Sequence, residues 1–138
     1  APTIADYLGQ PPPETWQGQS LRPVIESADT DWRDEIVFDH GLYTAQRAVR
    51  TDRWKLIRTL HPGMWSGVLP DYQLYDMAVD PWEQTDVSDE QPDVVDRLEQ
   101  RAIRWAHRHR DGSTDPLYRV AERGPSGYLS FEPDFEGV

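Results

Sequence analysis

A short motif with an acid and a histidine is the first place in this 138-residue chain where residue types could support chemistry. Asp39-His40-Gly41 follows the apolar run Ile36-Val37-Phe38 and puts a carboxylate beside an imidazole, two groups that can hold a metal ion. Two adjacent ligand types are common by chance, so we favour a strand that ends at glycine, with His40 hydrogen-bonded nearby. We therefore assign no metal ligands to this chain.

A second candidate is the loop His61-Pro62-Gly63-Met64-Trp65, which combines an imidazole with a large aromatic ring. Loops carry binding residues more often than strands do, so substrate contact is one interpretation of this loop and simple packing is the other. His107 and His109 lie only two positions apart on a predicted helix, so they point to different faces and cannot form a metal-binding pair.

The chain contains no candidate for nucleophilic catalysis. It has no cysteine, which excludes a thiol nucleophile, a disulfide framework and a cysteine-ligated metal. Its serines include no Gly-x-Ser-x-Gly elbow, and no glycine-rich phosphate loop is present. We predict no catalytic residues in this sequence.

Positive charge is concentrated on one predicted hairpin of an otherwise acidic chain, whose formal net charge is -11. Such a cluster could bind sulfate or phosphate, but pairing with acidic neighbours inside the fold is the commoner use of these charges, and we favour it. Its members are Arg47, Arg50, Arg53, Lys55 and Arg58.

The overall composition limits the possible partners. The excess of acidic residues repels phosphate backbones, so we expect no nucleic-acid partner. No apolar run approaches the ~20 residues that a membrane span requires, and the first residues lack the basic start of a signal peptide. The sequence thus predicts a soluble protein with no membrane partner, and it leaves the compartment unknown.

The elements that must position these residues form an α+β pattern. Four strands are predicted, over residues 36–38, 43–50, 54–59 and 72–77, with a hairpin turn between the second and third. Apolar and charged residues share both faces of these strands, which indicates a sheet that is partly covered on both sides. A helix from Pro92 to about Arg110 carries one apolar stripe and is expected to cover one face.

Three stretches are expected along the chain. Residues 1–31 bear too little apolar surface to fold alone and read as a segment that continues from a preceding domain. Residues 32–110 hold the regular α+β structure. Residues 111–138 form a tail rich in proline, glycine and aromatic residues, and because disordered tails seldom contain so many aromatic side chains, we expect it to lie against a surface.

Several of these segments together resemble one known family. Ala1-Pro2-Thr3-Ile4, the stretch from Arg47 to Arg58, and Leu74-Tyr75-Asp76 followed by Asp80-Pro81-x-Glu83 are similar, in this order, to the C-terminal portion of the sulfatase family, within the alkaline phosphatase-like superfamily. The resemblance implies a four-stranded antiparallel sheet packed by one long C-terminal helix. It also implies that this subdomain packs against the larger catalytic domain of the same polypeptide.

In that family the reaction is sulfate ester hydrolysis. The nucleophile is a formylglycine made from a Cys/Ser-x-Pro-x-Arg motif, and a Ca²⁺ ion is held by the catalytic domain. Neither the motif nor the metal ligands are present in this chain. The resemblance thus implies a subdomain that is non-catalytic alone, with both cofactors in a separate catalytic domain.

Loops of this subdomain can border the substrate pocket, and by resemblance we assign that role to His40, His61 and Trp65. Two alternatives stay open: a free-standing protein- or glycan-binding module with the same fold, and part of a phosphonate or phosphate monoester hydrolase. If the face meant for the catalytic domain is exposed and apolar, self-association of the chain is also expected.

Overall fold

The computed structural model of the chain describes residues 1–16, 18–27, 31–110, 112 and 114–129. It divides into two units, Ala1–Arg33 and Asp34–Val138. The first unit contains two short helices, α1 (Pro2–Tyr7) and α2 (Arg22–Glu26), and each has a proline in its first turn. A hydrogen bond of 2.7 Å from the Ser20 hydroxyl to the Asp6 carboxylate links the two helical segments.

The second unit is built on a four-stranded antiparallel sheet with strands in sequence order. The strands are β1 (Glu35–His40), β2 (Ala45–Thr51), β3 (Trp54–His61) and β4 (Tyr72–Asp76). Three helices follow, α3 (Pro92–His109), α4 (Pro116–Arg123) and α5 (Ser126–Leu129). The predicted α+β class and antiparallel sheet are confirmed, and so is the long helix, although two shorter helices come after it.

The hydrophobic core lies between the sheet and α3. Val49, Leu56 and Leu74 pair across neighbouring strands and pack against one side of α3, where Leu98 is only 2% exposed. This is the apolar stripe expected of an amphipathic helix. Proline in the first turn and basic residues in the last turn suit both ends of the helix. We call the sheet surface under α3 the inner face.

The opposite surface, the outer face, is only half covered. Near β3 and β4 the chain after β4 folds over it, since Lys55 forms an ion pair of 2.5 Å with Glu83 and Tyr75 is buried. Near β1 the face is bare, with Ile36 53% and Phe38 46% exposed. A continuous apolar run such as Ile36-Val37-Phe38 predicts a buried strand. That prediction is wrong for Ile36 and Phe38, whose side chains point to the exposed part of the outer face.

Charged side chains also lie on the inner face, which explains the mixed pattern of the strands. Arg47 and Arg58 are direct neighbours on β2 and β3, and both point towards the helical layer. Arg58 contacts Glu99 of α3 and the Tyr72 hydroxyl. Each of these buried or half-buried cations thus has an acidic partner, as burial of charge requires.

None of the helices in the described ranges is long and apolar enough to cross a membrane.

Candidate functional site

The strand register brings the three candidate residues to one end of the sheet. His40 is the last residue of β1 and pairs with Gln46, while His61 is the last residue of β3 and pairs with Ala45. A short 3₁₀ turn, Gly63–Trp65, follows directly and carries Trp65. We call this region, formed by residues 40–46 and 59–65, the histidine end of the sheet.

A hydrogen-bonded row of polar side chains crosses the outer face at the histidine end. The Thr44 hydroxyl donates to the Gln46 side-chain oxygen, and the Gln46 amide donates to the Thr59 hydroxyl, both at 3.1 Å. Thr44 and Thr59 are buried, whereas His40 at the end of this row is exposed. Its imidazole is therefore accessible to a partner, next to a hydrogen-bonded polar row.

The loop after β3 has a backbone that only glycine can form without strain. Gly63 has a φ of 59°, and a Cβ there would collide with the carbonyl oxygen of Tyr43. The Gly63 N–H donates a 3.0 Å hydrogen bond to Nδ1 of His61. In a neutral ring this leaves the proton on Nε2, so the imidazole is a donor at that atom.

Trp65 is 41% exposed, and its ring meets that of Tyr43 edge-on, with the centroids 6.4 Å apart. The indole is thus held on one side by a neighbouring ring and is in part exposed to solvent. Sequence reasoning singled out Trp65 but missed Tyr43 and Gly63 as the residues that hold it. A glycine two residues after His61, in a loop with proline, was the available signal.

Arg47 is the most heavily bonded side chain of this end and lies on the inner face. Its guanidinium donates two hydrogen bonds of 2.8 Å to Asp39 and two of 2.6 and 3.0 Å to Asp115. Asp115 also caps α4 by accepting a 3.0 Å bond from the backbone N–H of Leu117. One buried arginine therefore joins β1, β2 and the start of α4.

These contacts shift the protonation equilibria of both partners. Burial alone would raise the pKa of Asp115, but its hydrogen bonds from Arg47 and Leu117 and the charges of Arg47 and Arg110 outweigh burial and lower it. Burial likewise opposes the charge on Arg47, yet its hydrogen bonds to Asp39 and Asp115 raise its pKa above the ordinary value. Both groups therefore stay ionised near neutral pH.

Asp39 and His40 are not arranged to hold a metal ion together. Both carboxylate oxygens of Asp39 accept hydrogen bonds from Arg47, and the side chain lies on the face opposite to His40. Within the described ranges, no group of three or more histidine, aspartate or glutamate residues could hold a metal ion. The residues that the structure describes do not fit a Ca²⁺ site, and a chain with no cysteine does not fit a cysteine-derived formylglycine.

The basic hairpin pairs mainly within the fold, as expected. Besides Arg47 and Arg58, Arg53 binds Asp76 at 2.7 Å and Lys55 binds Glu83 at 2.5 Å. Arg50, on the outer face beside Ile36, has no ion-pair partner among the residues that the structure describes. Of the five members of the cluster, Arg50 is thus the one left for a partner outside the described residues.

The α4 helix closes the histidine end from the inner side. Leu117 is 4% exposed and, with Val120, it lies against Gly41 in the loop after β1. Part of the stretch 111–138 thus lies against the sheet of its own chain, whereas residues 130–138, with Phe131 and Phe135, fall outside the described residues. The pair Asp115-Pro116, an N-cap followed by proline, is the sequence signal that could have located this helix.

The geometry defines an α+β domain with a four-stranded antiparallel sheet that is packed by a long helix on one face. Residues 1–107 match the family model described as N-sulphoglucosamine sulphohydrolase, C-terminal. The chain therefore belongs to this family, a C-terminal domain of sulfatases, and the resemblance stated above is confirmed.

Named relatives agree with this family. An N-acetylglucosamine-6-O-sulfatase of Bacteroides thetaiotaomicron is 31% identical over 96 residues, which cover 63% of this chain and 16% of that protein. An arylsulfatase of Clostridium perfringens is 26% identical over 117 residues, which cover 83% of this chain and 23% of that protein. The chain thus spans less than a quarter of the length of either relative.

The fold is also similar to that of a protein solved in complex with its substrate, D-glucosamine-2-N,6-O-disulfate. The TM-score is 0.60 at 23% sequence identity, and the match covers 99% of this chain and 25% of that chain. At this identity the likeness concerns the fold.

Proposed function

We propose that this chain is the C-terminal domain of a larger sulfatase, in which it packs on a catalytic domain and borders the substrate pocket. The observation that carries the proposal is the family match over residues 1–107, in a chain that spans only 16% and 23% of two sulfatase relatives. The complete enzyme would hydrolyse a sulfate ester. Its formylglycine and Ca²⁺ would be supplied by residues outside this chain.

The bare half of the outer face is the surface we assign to the catalytic domain. Ile36 and Phe38 of β1 are about half exposed, and Arg50, which has no ion-pair partner among the described residues, lies beside Ile36. Exposed apolar side chains next to a single charge are typical of a surface that is buried against a partner. The occupying surface should accordingly be apolar and carry a carboxylate opposite Arg50.

The histidine end of the sheet is the region we assign to the substrate pocket. It offers imidazole groups at His40 and His61 and a partly exposed indole at Trp65. Imidazole N–H groups can donate to sulfate oxygens, and an aromatic face suits the apolar side of a sugar ring. Together with the names of the relatives, this favours a sulfated sugar as substrate.

The test uses the larger polypeptide with an aryl sulfate, the matching aryl phosphate and a sulfated glucosamine. We expect faster hydrolysis of sulfate than of phosphate esters; the reverse order would assign the chain to a phosphate monoester hydrolase instead. A free-standing module would show no linked catalytic domain and no hydrolysis of either ester.

Variants test the pocket assignment separately. His61→Ala and Trp65→Ala should raise KM for the sulfated sugar about tenfold, because each removes a contact of about 1.4 kcal/mol. His107→Ala, an exposed histidine on α3, is the matched control and should leave KM unchanged. If all three variants keep the wild-type KM, the histidine end does not border the pocket.

A further inference from the structure

The segment that follows α3 braces the histidine end of the sheet. Leu117 and Val120 of α4 pack over Gly41, where an added Cβ would lie 3.6 to 3.8 Å from them, and the Gly127 N–H donates a 2.7 Å hydrogen bond to the Leu42 carbonyl. We call residues 115–127 the bracing segment. It lies beyond the part of the chain that matches the family model, which ends at residue 107.

Tyr43 stands between the bracing segment and the loop that carries Trp65. On one side its ring packs so closely on Gly127 that a Cβ there would lie 2.5 Å from Cδ1 and 2.7 Å from the Leu42 carbonyl oxygen. On the other side the ring meets Trp65 edge-on, and the Tyr43 carbonyl lies against the backbone of Gly63. The φ of Gly127 is not in the left-handed region, so its backbone conformation does not require glycine. Glycine is needed there because the Tyr43 ring and the Leu42 carbonyl leave no room for a Cβ.

We infer that Tyr43 is a positioning residue, through which the bracing segment sets the place of His61 and Trp65. Contact runs without a gap from Gly127 to Tyr43, from Tyr43 to Trp65 and Gly63, and from the Gly63 N–H to Nδ1 of His61. Tyr43 itself needs no contact with substrate. The inference rests on the proposed function, because His61 and Trp65 are the residues that we assign to the substrate pocket.

Two glycines, one on each side of the interface between the bracing segment and residues 41–43, provide a matched pair of variants. Gly127→Ala forces the bracing segment away from Tyr43, because the new methyl group overlaps the ring and a backbone oxygen that cannot move aside freely. Gly41→Ala adds the same methyl group at ordinary van der Waals distance from Val120 and Leu117. Only the first variant should disturb Tyr43.

The experiment is ¹⁵N NMR of the 138-residue chain, with the indole N–H of Trp65 and the ring nitrogens of His61 as reporters. Gly127→Ala should shift both sets of resonances while the amides of α3 stay in place, and Gly41→Ala should shift neither set. If Gly127→Ala does not fold, Tyr43→Leu removes the ring without adding bulk, and we expect the same reporters to move. Unchanged reporters in the folded variant would overturn the inference.

Kinetics of the larger polypeptide separate this inference from the proposed function. Because displacement of a contact residue by about 1 Å can cost up to ~100-fold, we expect Gly127→Ala to raise KM roughly tenfold and to leave kcat unchanged. Shifted reporters with an unchanged KM would support the positioning role of Tyr43 and contradict the assignment of the histidine end to the pocket.

Discussion

Replacing Arg47 by methionine tests the idea that a buried ion cluster joins α4 to the sheet. The arginine side chain is 7% exposed and donates four hydrogen bonds to Asp39 and Asp115. Methionine keeps much of the volume. It leaves the carboxylate of Asp115, itself 10% exposed, with its capping bond to the backbone as the one remaining hydrogen bond from the described residues. Loss of one partner of a buried pair costs about 3–5 kcal/mol, a large part of the ~5–15 kcal/mol that stabilises a typical domain.

Urea unfolding of the chain at pH 7, followed by circular dichroism of the helices, measures this loss. For a slope of about 1–3 kcal/mol per molar urea, the midpoint should fall by more than ~1 M. Arg22→Met is the control, because Arg22 also pairs with two carboxylates, Asp6 and Glu26, but all three side chains are at least 36% exposed. Exposed ion pairs contribute little, so this midpoint should barely move. Equal shifts in the two variants would refute the argument.

The same comparison depends on pH in a defined direction. The pKa of Asp115 is lowered in the folded chain, so its stabilising contribution is present above the unfolded pKa of about 3.9 and is lost as the pH falls through the folded value. Once Asp115 is protonated it carries no buried charge, so the loss of Arg47 costs less free energy of unfolding. The difference in unfolding free energy between Arg47→Met and the wild type should therefore shrink below about pH 4, and a difference independent of pH would contradict the assigned partner.

Three further predictions concern other parts of the fold. Leu98→Ala should lower the free energy of unfolding by about 2–5 kcal/mol, because it opens a cavity in the core, whereas Val79→Ala, at a position 79% exposed, should have almost no effect in the same urea titration. Asp80 has a lowered pKa because it accepts hydrogen bonds from the backbone N–H groups of residues 84 and 85. Asp80→Ala should therefore increase hydrogen exchange of these amides at pH 7. Well below pH 4, where Asp80 is protonated, the substitution should have no such effect. Phe38→Glu should abolish any concentration-dependent self-association of the isolated chain in sedimentation experiments, since it puts a charge on the bare apolar surface.

The sheet and the long helix could be predicted because their patterns are local. The hairpin around residues 51–53 and the helical spacing of Val95, Leu98 and Ala102 need no knowledge of distant residues. The exposure of Ile36 and Phe38 could not be predicted in this way, because a short apolar run looks the same whether one of its faces is covered by this chain or by another.

The candidate site was predictable in its residue types but not in its construction. His61 and Trp65 stand out as an imidazole and an indole in one loop, yet the residue that holds the loop, Tyr43, lies 18 positions before His61 and was not recognised. The partner of Arg47 is more distant still, since Asp115 lies 68 positions further along the chain. Contacts of this kind depend on the tertiary fold, and no local propensity reveals them.

The central claim is that the outer face beside β1 is buried by a catalytic domain in the complete enzyme. Because this chain has no native cysteine, Phe38→Cys introduces a unique thiol there, and its labelling rate can be followed by peptide mass spectrometry in the isolated chain and in the larger polypeptide. Gln100→Cys, on the exposed side of α3, is the control. We predict that labelling at position 38 is at least ~10-fold slower in the larger polypeptide, because a covered thiol reacts only when it becomes accessible. Labelling at position 100 should be the same in both proteins. Equal labelling rates at position 38 in both proteins would contradict the claim.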